Sequence, residues 1–296
     1  MSAFTDTLIE ASRQTLPNLL IVPLLLVPYM IAERFWPVER APGWRDYGLN
    51  MLIFASTAFL VLPAGIAAGM WSAGLRGLLP WQPIAFSFEE IGRIPVAGPV
   101  LEILALIVVP LLLHDAWFYW AHRIEHRVPF LWEFHKLHHS DELMNASTFA
   151  RDHFLQAAWI AFFPAFTLGL VFDLSVVESG RAATYSMLFL SLQSMLYHSA
   201  LRLRLPWLDR VLVTPQVHRI HHSRDPRHYN CNFADAFPLF DIVFGTYRRP
   251  TSDEFPATGL GAEHPAPRSL WQAQASPVAA ARRTLLPRAG APSSPR

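Results

Sequence analysis

The chain has 296 residues, a formal net charge of +1, 52% hydrophobic residues and 16% charged ones, whereas a soluble domain carries about 25% charged residues. The deficit excludes a surface that lies wholly in water, and the near-neutral charge excludes the electrostatic footprint of a nucleic-acid binder. A single cysteine, Cys231, excludes a disulfide framework and a cysteine-based metal site.

Five apolar stretches follow one another: Leu16–Ile31, Leu49–Trp71, Val96–Trp120, Leu155–Phe172 and Ala182–Tyr197. A bilayer span takes about 20 apolar residues. The second and third clear that length, while the first, fourth and fifth sit at its lower margin, the last two either as spans or as a shallow hairpin. The first is not a cleavable signal peptide, because Met1–Glu10 holds Asp6 and Glu10 but no base, and Glu33, Arg34 and Phe35 follow the apolar run. Arg34, Arg40 and Arg45 lie between the first two stretches, and the chain after His198 is again rich in Arg. Spans two and three cross out and back, so these basic segments share one side, which the positive-inside rule makes cytoplasmic. The expected location is a bacterial inner membrane. Division into an N-terminal membrane part (1–96), a catalytic part (97–250) and a C-terminal tail (251–296) follows, with Ser276–Arg296 expected to be disordered from its Pro, Ala, Ser and Arg content.

Thirteen histidines are present, and eight fall in His122–His139 and His218–His222, where chance would put about one. His122-Arg-Ile-Glu-His126 sets two imidazoles four residues apart on one helix face. His135-Lys-Leu-His138-His139 and His218-Arg-Ile-His221-His222 repeat an HxxHH spacing. Eight imidazoles are too many for one metal and suit two held side by side; imidazole alone does not choose among Zn, Cu, Fe and Ni. The fold expected is therefore an all-α integral membrane protein of about four to five membrane-embedded helices, with a cytoplasmic helical cap carrying a histidine-rich dimetal site.

These residues resemble the fatty acid hydroxylase superfamily, the sterol desaturase and alkylglycerol monooxygenase type of membrane enzyme. The resemblance runs from Asp115 to Tyr247, through Asp115-x-x-x-Tyr119-x-x-His122-Arg123-x-x-His126, Leu131-Trp132-x-Phe134-His135-x-x-His138-His139-Ser140, Thr214-Pro215-x-x-His218-x-x-His221-His222-Ser223, Asn232-Phe233 and Phe244-Gly245-Thr246-Tyr247. It implies a centre of two non-haem iron ions, O₂ as co-substrate, hydroxylation or desaturation of a membrane lipid, and His198 as a ninth ligand. Two departures stand out: Arg151-Asp-His153-Phe-Leu-Gln156 lacks the Pro and Glu often found in the family, and Phe240 replaces the Trp usual before Asp241. With no haem site, GxGxxG loop or CxxC cluster in the chain, electrons come from a separate ferredoxin or cytochrome with its reductase.

Asp115, Tyr119, His122 and His126 form one stripe at 4-3-4 spacing. A carboxylate at the end of an apolar helix is costly unless paired, and a metal-bound histidine usually donates its second N–H to such a group. Asp115 is thus expected to support a ligand, directly or through Tyr119; Asp241 and Asn232 are similar candidates near the last box. Glu125 is read as solvated or ion-paired, His228 as a loop residue, and His114 and His264 are given no role. Two other readings stay open: a zinc-dependent membrane hydrolase, and a non-enzymatic metal-binding or transport protein.

Overall fold

The computed structural model describes residues 2–85, 88–173 and 180–285. Each apolar stretch forms a helix: α1 (Ser2–Phe35), α2 (Trp44–Arg76), then a short α3 (Glu89–Gly92), α4 (Gly98–Arg127), α5 (Pro129–His139), α6 (Phe154–Val171) and α7 (Gly180–His198). The cap is completed by α8 (Pro215–His221), α9 (Leu239–Val243) and α10 (Leu270–Leu285). Among the described residues three helices, α2, α4 and α6, are long and apolar enough to cross a bilayer. They leave large apolar side chains such as Leu52, Met70, Val100 and Leu104 exposed, as lipid-facing walls do.

Packing sets the topology. α6 lies along α2, and α7 packs mainly on α4, so the fourth and fifth stretches take other partners rather than forming a mutual hairpin. Their connector, residues 174–179, lies outside the described residues. A two-residue parallel pair, β1 (Ile84–Ala85) with β2 (Phe172–Asp173), joins the ends of α2 and α6 on the side away from the histidines. α2 and α6 therefore run one way and α4 and α7 return. This brings His122 and His126 of α4, the start of α6 and His198 of α7 to a single end.

Helix α4 stops one residue short of α5. Val128 precedes a proline, which disfavours helical backbone there, and it takes φ −96°, ψ 112° while Pro129 opens the next helix. That single break turns the second histidine box back against the first. Thr214 caps α8 through Oγ1 to the Val217 N–H, with Pro215 at the first helical position.

The tail reading needs correction. Ser276–Leu285 is not disordered but forms the later part of α10, which packs on α5. Its buried face is Ala273, Pro277 and Ala281 at four-residue spacing, small enough for close approach. Gln274 fixes its position, its carbonyl accepting from His153 Nε2 at 2.8 Å and its Oε1 from the Phe154 N–H at 3.0 Å. Residues 286–296 lie outside the described residues.

Candidate metal centre

Nine histidines converge in two adjoining groups. His122, His126, His135, His139 and His221 form the first; His138, His198, His218 and His222 form the second; within each, the ligand atoms lie within 4.8 Å of one another. Helix geometry explains the division. At 3.6 residues per turn, positions i and i+4 diverge by about 40° one way and i+3 by about 60° the other. In α5, His135 and His139 therefore face the first group while His138 faces the second. In α8 the assignment is exchanged: His218 and the capping His222 face the second group, and His221 the first. Each HxxHH box thus gives two imidazoles to one group and one to the other. The groups touch through His139 and His222, stacked with centroids 4.4 Å apart.

The spacing fits metal ions. His135 Nε2 lies 3.0 Å from Nε2 of both His122 and His139. In the second group the Nε2–Nε2 distances are 3.2 Å (His138–His198), 2.9 Å (His198–His218) and 3.0 Å (His218–His222). Nitrogens about 2.1 Å from one ion stand about 3.0 Å apart at right angles and about 3.4 Å apart in a tetrahedron. The observed values are of the size that imidazoles gathered around a common ion would show.

Tautomers point the same way. Carbonyl oxygens accept from His122 Nδ1 (Phe233, 2.7 Å), His221 Nδ1 (Cys231, 2.8 Å) and His198 Nδ1 (Ser194, 2.9 Å). A neutral ring protonated on Nδ1 turns a bare lone pair inward from Nε2. Lone pairs gathered at such distances repel one another unless a cation lies between them. Burial, followed by repulsion from neighbouring rings, holds His135, His138, His139, His218, His221 and His222 well below the ordinary histidine range. Burial likewise takes His198 down to about 4. All are neutral at pH 7, as ligation requires.

For Glu125 the solvated half of its sequence reading fails. It is buried, not solvated, at 2% exposure. Its carboxylate lies 3.2 Å from His135 Nδ1, and it accepts from Trp159 Nε1 at 2.8 Å and Gln156 Nε2 at 3.2 Å. Gln156 Nε2 is itself 2.6 Å from His135 Nδ1. Asp152, pushed up to about 7 by burial, stands 3.5 Å from His138 Nδ1. Sequence reasoning missed both groups; the signal available was their place at the membrane end of an apolar helix, beside a box.

The other candidates act on backbone. Asp115 accepts from the Ala236 and Phe237 N–H groups at 2.9 and 2.6 Å and supports no histidine directly. Asp241 accepts from the Phe233 and Ala234 N–H groups at 2.9 and 2.8 Å. Asn232, at φ 56°, donates to the carbonyls of Val217 and Arg248. Tyr119 pairs with Thr246 and Arg123, not with Asp115. All but Tyr119 therefore pin the stretch Cys231–Phe237, whose carbonyls at Cys231 and Phe233 orient His221 and His122. His153, His228 and His264 lie in neither group, and His114 pairs with Asp235.

Residues 107–246 match the model of the fatty acid hydroxylase family, to which this region of the chain is similar. Relatives include alkylglycerol monooxygenase of Danio rerio, 34% identical over 47% of this chain and 30% of that protein. Ornithine lipid hydroxylase OlsE of Rhizobium tropici is 29% identical over 52% of this chain and 46% of the relative. Human cholesterol 25-hydroxylase is 32% identical over 51% and 54%, respectively. The chain spans about half or less of the length of the alkylglycerol monooxygenases it matches. No solved structure matches it.

Proposed function

We propose that this protein is a membrane oxygenase that holds two iron ions and inserts oxygen into a C–H bond of a lipid, with desaturation as the alternative outcome of the same chemistry. The observation that carries this reading is the pair of adjoining imidazole groups, nine histidines gathered at one end of the helices. A single zinc site takes three or four protein ligands, far fewer than nine, and a transport site would lie at the membrane midplane between broken helices. The nine histidines would be the ligands, five to one ion and four to the other.

Bound iron supplies the electrons and the open position that O₂ needs to attack an unactivated C–H bond. The chain does the rest. The carbonyls of Phe233, Cys231 and Ser194 fix ring orientation and keep the proton on Nδ1. Glu125 and Gln156, both at His135 Nδ1, fix the orientation of that ring. Phe233, fully buried against His122, His126 and His221, and Tyr197, against His198 and His218, close the surroundings to water. The lipid reaches the centre from the bilayer, because α4 carries its histidines where the span ends. A ferredoxin or cytochrome with its reductase supplies electrons from the Arg-rich side, which we assign to the cytoplasm.

The test is purified protein in detergent, loaded with Fe(II) and given a reductase system, a bacterial lipid extract and ¹⁸O₂. Two irons per chain and one ¹⁸O in a lipid product are expected; hydrolysis by a zinc-loaded sample, without oxygen uptake by an iron-loaded one, overturns the reading.

A further inference from the structure

Outside the ligand set, a second line of side chains leaves the centre. Tyr197 is 2% exposed. Its ring lies against two histidines of the second group, with centroids 4.3 Å from His218 and 4.7 Å from His198. Its hydroxyl donates to Asp235 Oδ1 and accepts from Ser194 Oγ at 3.0 Å. The other oxygen of Asp235 pairs with His114 Nε2 at 2.8 Å. The His114 side chain is 30% exposed, so the line runs from the buried histidines to a ring at the outer face of the membrane helix α4.

Asp235 is held in place more firmly than a loop carboxylate usually is. The N–H groups on either side of it, Ala234 and Ala236, are bonded to Asp241 and Asp115. Burial alone would raise its carboxyl, but the hydrogen bond and charge of His114, with the Tyr197 hydroxyl, hold it below the usual carboxylate range. A fixed carboxylate on a phenol O–H is a positioned base. A phenol beside a strong oxidant loses an electron readily only when its proton has somewhere to go in the same step.

Resting on the oxygenase reading, we propose that Tyr197, with Asp235 and His114, is a redox-active station that discharges the oxidised dimetal centre when no lipid is present to react. The Tyr197 phenol gives one electron to the oxygen-oxidised centre, which is reduced by one. The O–H bond breaks and its proton passes to Asp235, which becomes a carboxylic acid beside His114. The product is a neutral phenoxyl, refilled by the external electron donor and a returning proton. Without this outlet the same oxidising power falls on the imidazoles that hold the centre.

The experiment uses the full chain loaded with Fe(II), mixed with O₂ without lipid, and frozen at intervals for electron paramagnetic resonance. An organic radical is expected whose signal narrows when the protein is made with ring-deuterated tyrosine. Tyr197→Phe should abolish it, and Asp235→Asn should slow its formation by about a hundredfold, the lower end of a positioned base's contribution. Iron content of each variant reports whether the fold and centre survive. Tyr197→Phe should also accumulate oxidised histidine faster, read by peptide mass spectrometry. Loaded protein that takes up O₂ and oxidises lipid yet shows no radical overturns the proposal. So does a signal that deuterated tyrosine leaves unchanged, or one that persists in Tyr197→Phe, which would move it to Trp132 against His126 and His139. Protein that binds no iron or takes up no O₂ under any condition overturns the oxygenase reading, and this proposal with it.

Discussion

The two histidine groups share the same helices but are braced differently. In the first, the outer nitrogens of His122, His135 and His221 meet the Phe233 carbonyl, Glu125 with Gln156, and the Cys231 carbonyl. In the second, His198 alone has a close partner, the Ser194 carbonyl. His138 Nδ1 has Asp152 only at 3.5 Å, and His218 and His222 Nδ1 have no hydrogen-bond partner among the described residues. The first group also has one more ligand. Ring orientation fixed from outside lowers the cost of gathering ligands, so the first group should fill first and hold its ion harder. The second, with four ligands and freer rings, is the half with room for a reacting molecule.

Removing ligands gives the largest effect. His135→Ala or His139→Ala should abolish lipid oxidation and leave at most about one metal per chain. His138→Ala or His222→Ala should abolish it equally, yet keep the first ion bound at near-wild-type affinity. Metal content by mass spectrometry, during titration with Fe(II) under anaerobic conditions, checks this. Equal losses from both sets of variants would break the asymmetry.

Acid should separate the groups less sharply. The seven histidines of the two groups from His135 onward are held neutral by burial, with His198 down to about 4. An unfolded histidine binds its proton near pH 6.5. Folded-state values below that mean stability is full above about pH 6.5 and is lost as pH falls toward 4, since the unfolded chain then binds more protons. Thermal unfolding of metal-free protein in detergent should show a midpoint that falls across this window. Loaded protein should resist to lower pH, because each ion competes with protons for the same nitrogens. The second group should release its ion first on acidification.

Glu125→Gln sharpens the comparison at single-residue scale. It replaces the carboxyl beside His135 by an amide while keeping Trp159 and Gln156 in place, and should weaken the first ion or cut turnover by about 10–100-fold. Asp152→Asn, acting across a longer gap on His138, should cost less. Comparable losses would place the two carboxylates on an equal footing.

Most of the histidine cluster could be read from the chain because helical spacing is local. HxxxH and HxxHH set ring directions without knowledge of the fold, and the apolar runs that place them are long. What could not be read depends on distant partners. The burial of Glu125 is decided by Gln156 and Trp159, one turn into a helix that arrives some thirty residues later. The ordering of Ser276–Leu285 is decided by a small-residue stripe that matters only once α5 lies beneath it. His135, His138 and His139 were legible as a cluster, but their division between two groups needed the opposing box on α8.

Asp115 is the instructive failure, and its variant gives the smallest expected effect. Its stripe with His122 is real, but seven helical residues separate them by about 10 Å along the axis, too far for a carboxylate to reach the ring. Instead it bonds two N–H groups of the stretch whose Phe233 carbonyl orients His122. Asp241 holds that stretch nearer the carbonyl. Asp115→Asn keeps an acceptor but loses the charge, and hydrogen bonds to charged groups contribute roughly 1.5–3 kcal/mol against about 1 for neutral ones. The fold should therefore lose about 0.5–2 kcal/mol per bond. Turnover should fall only a few-fold, less than for Glu125→Gln, because a second anchor remains. Any weakening should appear in the first ion and not the second, since the loop orients His122 and His221 alone. A loss of 10–100-fold with iron retained would mean that the stretch is a stiffer lever on the ligands than two anchors imply. Turnover and metal affinity measured together on Asp115→Asn, Asp241→Asn and the double variant decide it: a double-variant loss larger than the product of the single ones marks the two carboxylates as alternative anchors of one carbonyl.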